Sequence, residues 1–335
     1  MKVLQIANYK QGTGGISGQV EKIHACLDGE GIENAIFSVK GSAVYRINAF
    51  FRLFKEGRKY DVFHIHTCSG GGFISAVMGI LVGRCLKKRI VLTYHGGGGR
   101  RFFEKHPRFV GWFLCRTDAN IALSGFIGGV FEDFDIPHVE IPNIIELDAS
   151  RFKEREVIKP DFISIRTLSP LYNIECIIKA YQIVKLKLPE ATLTIVSDGP
   201  SRDSLMKMVK DIGLKDVKFM GRVDNSKIYE LLDEADIMLS SPLIDNMPVS
   251  VLEGMNAGLL VISSNVGGVP YMIEDGVNGM LFPSKNHEGL AEKMIMAVEN
   301  QEKSKIMIRE ACQGLSKYSW ESVKRKLLPV YAGER

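Results

Sequence analysis

Ser240-Ser241-Pro242-Leu243-Ile244-Asp245-Asn246-Met247-Pro248-Val249-Ser250-Val251-Leu252-Glu253-Gly254-Met255 is the stretch that decides the reading. The apolar run Ile237–Leu239 precedes it and a second run, Val261–Ser263, follows it. Short runs without polar alternation are strands buried on both faces. Between them lies a polar loop carrying Asp245. A helix then begins near Pro248, since proline is welcome at a helix start. Strand, loop, helix and strand make a βαβ unit, the building block of a parallel sheet covered by helices.

The same alternation extends in both directions. Towards the start it predicts strands at Val3–Ala7, Ala35–Val39, Val62–Ile65, Ile90–Tyr94 and Asn120–Leu123, then Phe162–Ile165, Thr192–Val196 and Val217–Phe219. Towards the end it predicts one more, Met280–Phe282. The pattern runs twice. Pro142-Asn143 stops the first set, residues 146–161 are charged and aperiodic, and a new strand starts at Phe162. The expected fold is α/β, with two doubly wound, Rossmann-like parallel-sheet domains, 1–150 and 151–319. Ligands of such sheets sit outside the carboxyl ends of the strands, so the expected site is a cleft that the two domains face.

Composition agrees with this class. The chain has 335 residues, 45% apolar and 24% charged, which excludes disordered and fibrous chains. Its six cysteines are scattered without a C-x-x-C pair, against a zinc site or a secreted disulfide framework. The longest apolar run, Phe73–Val82, falls short of the roughly 20 residues of a spanning helix. No signal-like start precedes it, so a cytoplasmic protein is expected. Charge is localised: residues 40–116 hold 15 basic and 3 acidic side chains. A phosphate-rich partner is expected on that side.

Several segments carry candidate chemistry. The loop Gln11-Gly12-Thr13-Gly14-Gly15-Ile16-Ser17-Gly18 follows the first strand, where glycines and a helix N-terminus suit an anion. Ser17 stands where a dinucleotide fingerprint needs glycine, which argues against a nicotinamide enzyme. His95 follows the fourth predicted strand and opens the glycine run 96–99, while His64 and His66 close the neighbouring strand. Arg100-Arg101-Phe102-Phe103 and the segment 44–60 interleave basic and aromatic residues, as an interfacial helix on an anionic membrane does. Nothing in them reads as a nucleic-acid motif. Asp245 and Glu253, eight positions apart, can bracket one ligand. Gly199, in Ser197-Asp198-Gly199-Pro200, and Gly267-Gly268-Val269-Pro270 fall on the same sheet edge.

These residues resemble the retaining nucleotide-sugar glycosyltransferases of the GT-B fold, glycosyltransferase family 4, over nearly the whole chain and most specifically from Asp236 to Pro283. The resemblance implies that Glu253 holds the nucleotide ribose and that Asp245, usually a glutamate, touches the donor sugar. It gives the diphosphate to the backbone of Met247, Val249 and Ser250, with Asn246 and Pro248 in the same loop and Gly14, Gly15 and Gly199 close by. Arg222-Val223 matches the segment beside the nucleobase, and His95 a histidine near the donor sugar. The family's Arg/Lys pair is missing, because Thr167 and Tyr172 occupy those positions. Arg166, one residue early, is the expected substitute. A helix over about 320–335 is expected to pack back on the first domain.

The implied activity is transfer of a sugar from a UDP- or GDP-sugar to a glycan, lipid or sugar-phosphate hydroxyl, with no metal and no cofactor. His66, Arg100, Arg101 and Phe102 are expected on the acceptor or membrane side, and peripheral membrane contact is expected through the basic first domain. A nucleotide-sugar epimerase and a catalytically impaired binding protein are the competing readings.

Overall fold

The computed structural model describes residues 1–334. The chain divides into two compact units, residues 1–146 together with the segment from Lys317 onward, and residues 147–316.

The first unit is built on a six-stranded parallel sheet of β1 (Val3–Ala7), β2 (Asn34–Ser38), β3 (Val62–Thr67), β4 (Arg89–Tyr94), β5 (Ala119–Ala122) and β6 (Val139–Glu140). The strand order is β2-β1-β3-β4-β5-β6. Its helices are α1 (Ile16–Gly29), α2 (Ala43–Glu56), α3 (Ile74–Cys85), α4 (Gly99–Lys105), α5 (Pro107–Leu114) and α6 (Gly125–Asp133). The second unit repeats the plan with β7 (Asp161–Ser164), β8 (Thr192–Val196), β9 (Val217–Gly221), β10 (Ile237–Ser240), β11 (Leu260–Ser264) and β12 (Met280–Phe282), ordered β12-β11-β10-β7-β8-β9. Its helices are α7 (Ile174–Lys187), α8 (Arg202–Asp211), α9 (Asn225–Asp233), α10 (Val249–Asn256), α11 (His287–Glu299) and α12 (Gln301–Gln313). The chain ends in α13 (Trp320–Ala332).

The physical reason for the repeated plan is burial. β1, β3, β10 and β11 are buried along their entire length, so each sheet needs helices on both faces. β6 escaped the sequence pattern. It has two exposed residues, pairs only with β5, and offers no apolar run to read.

The contacts move the expected boundary. Ile144 and Ile145 are buried, and Ile144 joins the core that Val323, Leu327 and Tyr331 of α13 complete beneath the first sheet. The first unit therefore ends at Glu146 rather than 150, and the chain returns to it at Lys317 rather than 320. Residue 335 of the expected terminal helix lies outside the described residues. The aperiodic stretch after 146 is tied down by Arg155. Its buried guanidinium donates to the carbonyls of Lys153, Leu232, Ala235, Ala257 and Gly258 and to Asp236 Oδ1 at 2.8 Å. Asp236 Oδ2 accepts the Lys159 N–H at 2.7 Å. A buried charge is tolerable only when its donors are satisfied in this way.

Candidate functional site

In the second sheet the chain starts at β7 and later crosses to its other side at β10. Such a switch point leaves a crevice at the carboxyl ends of the two strands, where open α/β sheets bind ligands. The loops leaving β7 and β10 are fastened to each other there. The Leu243 N–H donates to the Leu171 carbonyl at 2.8 Å, and Ser241 Oγ to the carbonyls of Tyr172 and Asn173. Two glycines allow the packing. A Cβ on Gly199 would sit 2.3 Å from the Leu168 carbonyl oxygen. One on Gly267, whose φ is +54°, would sit 2.0 Å from that of Asp245.

Arg166 leaves β7 and points into this crevice. It forms an ion pair with Asp245, donates to Ser250 Oγ at 2.7 Å, and lies over the Tyr172 ring with its Cζ 4.2 Å from the centroid. Only 8% of Arg166 is exposed. The aromatic residue at the family's lysine position is thus the platform of the guanidinium. Asp245 Oδ1 also accepts the Asn246 N–H at 2.8 Å, and Asn246 is fully buried. Pro248 is the N-cap of α10, so the helix begins at Val249. The first intrahelical donor near this end is Val251, to the Pro248 carbonyl. The Val249 and Ser250 N–H groups precede it, at an end where the helix dipole favours an anion. A fixed cation, a fixed carboxylate and a helix N-terminus therefore share one strand-end crevice. That set can hold a diphosphate and orient a polar group beside it. Met247 is buried in the loop, Glu253 lies half-buried on α10, Arg222 is exposed after β9, and Val223 is half-buried beside it.

The first unit has its own switch point, between β1 and β3. Gly15 is the N-cap of α1 with φ +64° and ψ −131°, a conformation that requires glycine. The loop before it is anchored from α1: Ser17 Oγ accepts the Lys10 N–H at 3.1 Å, and Glu21 accepts the Gly12 N–H at 3.1 Å. The faces of Gly14 and Gly15 are open.

His95 leaves β4 with its ring turned inwards. Its Nε2 stands 3.0 Å from Nδ1 of His66. The His66 ring lies against His64, with centroids 4.1 Å apart and the ring planes tilted by 43°. Desolvation lowers the pKa of His95 and His64 to about 3 each, and that of His66 well below its ordinary value. These imidazoles are neutral at physiological pH. A cavity of about 20 Å³, room for one water, opens among Gln19, His64, Thr93, His95 and Asn143.

Two expectations are corrected. His66 is 1% exposed inside β3, so it can meet neither an acceptor nor a membrane. Phe102 packs on Phe73 and His106 beside the core and is half-buried rather than presented outward. Arg100 is paired with Asp133 at 2.5 Å, and Arg101 is exposed. The outward apolar residues are others: Val44, Ile47 and Phe51 on α2, and Phe109 and Trp112 on α5. Both helices pack against α3. Arg116 lies over Trp112 at 3.8 Å.

Sequence reasoning missed Tyr172 as a platform, Ser250 as a ligand of Arg166, and the ring contact of His64 with His66. The H-x-H spacing of residues 64 and 66 puts both rings on one face of a strand and was the available signal. Among the described residues, no group of three or more His, Cys, Asp or Glu is placed to hold a metal ion, and no helix is long and apolar enough to cross a membrane.

The sequence matches two family models, glycosyltransferase family 4 over residues 19–149 and glycosyl transferases group 1 over residues 148–313. It is 28% identical over 260 residues to the N-acetyl-alpha-D-glucosaminyl L-malate synthase of Bacillus anthracis, covering 72% of this chain and 66% of that protein. It is 26% identical over 246 residues to the amylovoran biosynthesis glycosyltransferase AmsK of Erwinia amylovora, covering 69% and 60%. The matches thus span about two thirds or less of these relatives. Among solved structures, Anabaena HepE in complex with UDP and glucose superposes with a TM-score of 0.80 at 17% identity over 99% of both chains. Sucrose-phosphate synthase from Thermosynechococcus elongatus gives 0.83 at 15% identity over 99% and 98%.

Proposed function

The chain belongs to the group 1, family 4 glycosyltransferases of GT-B fold, and from that premise we propose that it transfers a sugar from a nucleoside diphosphate to a hydroxyl acceptor with the anomeric configuration retained. The observation that carries this reading is Arg166, held between Asp245, Ser250 and Tyr172 beside the N-terminus of α10. In the proposed step the acceptor oxygen bonds to the anomeric carbon as the bond to the diphosphate oxygen breaks. The acceptor proton passes to the departing diphosphate on the same face. Negative charge grows on the leaving group. Arg166 and the α10 N–H groups are already oriented towards such charge, which makes their stabilisation effective. Asp245 orients the sugar and Glu253 holds the ribose.

The donor we favour is a UDP-sugar, because HepE, a neighbour in fold, was solved with UDP-glucose. A GDP-sugar is the second choice. The reaction as written uses no metal and no cofactor. We assign the acceptor to the first unit and place the enzyme in the cytoplasm on an anionic membrane face. Val44, Ile47, Phe51, Phe109 and Trp112 are exposed among Arg52, Lys55, Arg101, Lys105 and Arg108, an apolar and basic mixture suited to a bilayer interface. The test is nucleotide release from UDP-, GDP- and ADP-sugars, with and without a mixture of lipid and sugar-phosphate acceptors. Acceptor-dependent release from one donor supports transfer. Release of an altered sugar nucleotide without acceptor indicates an epimerase, and binding without turnover indicates a binding protein.

A further inference from the structure

The buried histidines of the first unit carry an inference about their protons. Tyr331 of α13 has its hydroxyl 2.6 Å from Nδ1 of His64. Burial raises the pKa of that phenol, so it keeps its proton and donates it to Nδ1. His64 must then carry its own proton on Nε2, which stands 2.8 Å from Thr93 Oγ1. The next ring, His66, faces His95 through Nδ1, and its Nε2 is buried with no partner among the described atoms.

Two neutral arrangements satisfy the contact between His66 and His95. If His95 donates from Nε2, His66 must hold its proton on Nε2, as a buried N–H with no acceptor. If His66 donates from Nδ1, its Nε2 is a bare lone pair. Orphaned N–H groups are the rarer of the two in folded proteins. The second arrangement wins, and it leaves Nε2 of His95 occupied as an acceptor and its proton on Nδ1. Among the described residues the one side-chain bond of His95 runs through Nε2, and none reaches that Nδ1.

We propose that His66 is a positioning residue that fixes His95 as the Nδ1–H tautomer, so that His95 offers a neutral N–H donor to an oxygen of the transferred sugar. Tyr331 fixes His64, whose ring lies against His66 with centroids 4.1 Å apart, which ties the terminal helix to the histidine pair. The part concerning the sugar rests on the proposed transferase activity, whereas the tautomer does not.

The test is a long-range 1H–15N spectrum of the full chain labelled at histidine nitrogens, at pH 7.5, with His95 assigned by its loss in His95→Ala. The expected result is a protonated Nδ1 and a bare Nε2 at His95. His66→Phe removes the donor, and His95 then shows a mixture of tautomers. His66→Asn places an amide N–H near the original Nδ1 and restores the pattern. With an active donor and acceptor pair, His66→Phe lowers kcat about tenfold, as loss of an orienting partner does, with donor KM unchanged, and His66→Asn recovers it. A protonated Nε2 at His95 in the wild type overturns the proposal, and so does an Nδ1–H pattern that persists in His66→Phe. If His66→Phe does not fold, the wild-type and His66→Asn spectra decide. A wild type that turns over no donor refutes the transferase reading, and the nitrogen pattern is still read.

Discussion

Replacing Arg166 with alanine isolates the group on which the proposed chemistry depends. A guanidinium has five N–H donors. In the structure one is given to Ser250 and one to Asp245, while the Nε–H is buried without a partner among the described atoms. Two N–H groups on the terminal nitrogens are left for a diphosphate. Losing a charged donor of this kind costs about 1.5–3 kcal/mol in binding, so nucleotide diphosphate affinity falls about tenfold to a hundredfold. Charge on the leaving group is greater in the transition state, and kcat falls by a further ~10²–10³. The fold survives, because Asp245 keeps the Asn246 N–H and a side chain 19% exposed. The stability loss is about 1–2 kcal/mol. Arg166→Lys restores a point charge that cannot fork between Ser250 and Asp245, so it recovers only part of the rate. Calorimetric titration of UDP and GDP gives the affinity, initial rates of nucleotide release give kcat, and a thermal melt checks the fold. Activity and affinity within about threefold of wild type, a change under 1 kcal/mol, would refute the assignment of Arg166 to the diphosphate.

Other outcomes follow from the same coordinates. Asp245→Asn frees Arg166 from its counter-charge, so nucleotide binding is kept or tightened while kcat falls at least ~10²-fold; steady-state rates and calorimetry separate the two. Arg155→Ala leaves six carbonyl and carboxylate contacts unmet beneath the second sheet, and urea unfolding should show a loss of about 3–5 kcal/mol. His64 and His66 have folded pKa values below the unfolded one, so acid protonates the unfolded chain first. Stability is full above about pH 6.5 and drains as pH falls, for His64 towards about 3. The two buried rings together contribute a loss of about 3 kcal/mol at pH 5.5, checked by urea unfolding at pH 7.5 and 5.5. Phe51→Glu with Trp112→Glu should abolish sedimentation with anionic vesicles and leave the turnover of a soluble acceptor unchanged.

The alternation of apolar strands with helices was legible because both sheets are buried on two faces. Eleven of the twelve strands could be placed within two residues at each end from runs such as Val3–Ala7 and Thr192–Val196. The exposed pair Val139–Glu140 could not, because an edge strand of that length has no pattern. Asp245 and Glu253 stood out through their spacing and the proline between them. The orientation of Arg166 did not, because it depends on Tyr172, six residues further along the same loop, and on Ser250, in a helix 84 residues away. His66 shows the limit from the other side. A histidine near a strand end looks functional in sequence, but its place inside β3 buries it, while His95, just past the end of β4, is half-buried. Phe102 and Phe51 look alike in sequence, but Phe102 packs on Phe73 beside the core while Phe51 is exposed.

The central claim is transfer with retention, and the anomeric proton of the product tests it most directly. The wild type is incubated with an α-linked nucleotide sugar and the acceptor that supports release, and the product is followed by proton NMR from the first minutes. The account predicts an α-linked product whose appearance matches nucleotide release and disappears in Arg166→Ala. A β-linked product, or free sugar released at the same rate without acceptor, would contradict it.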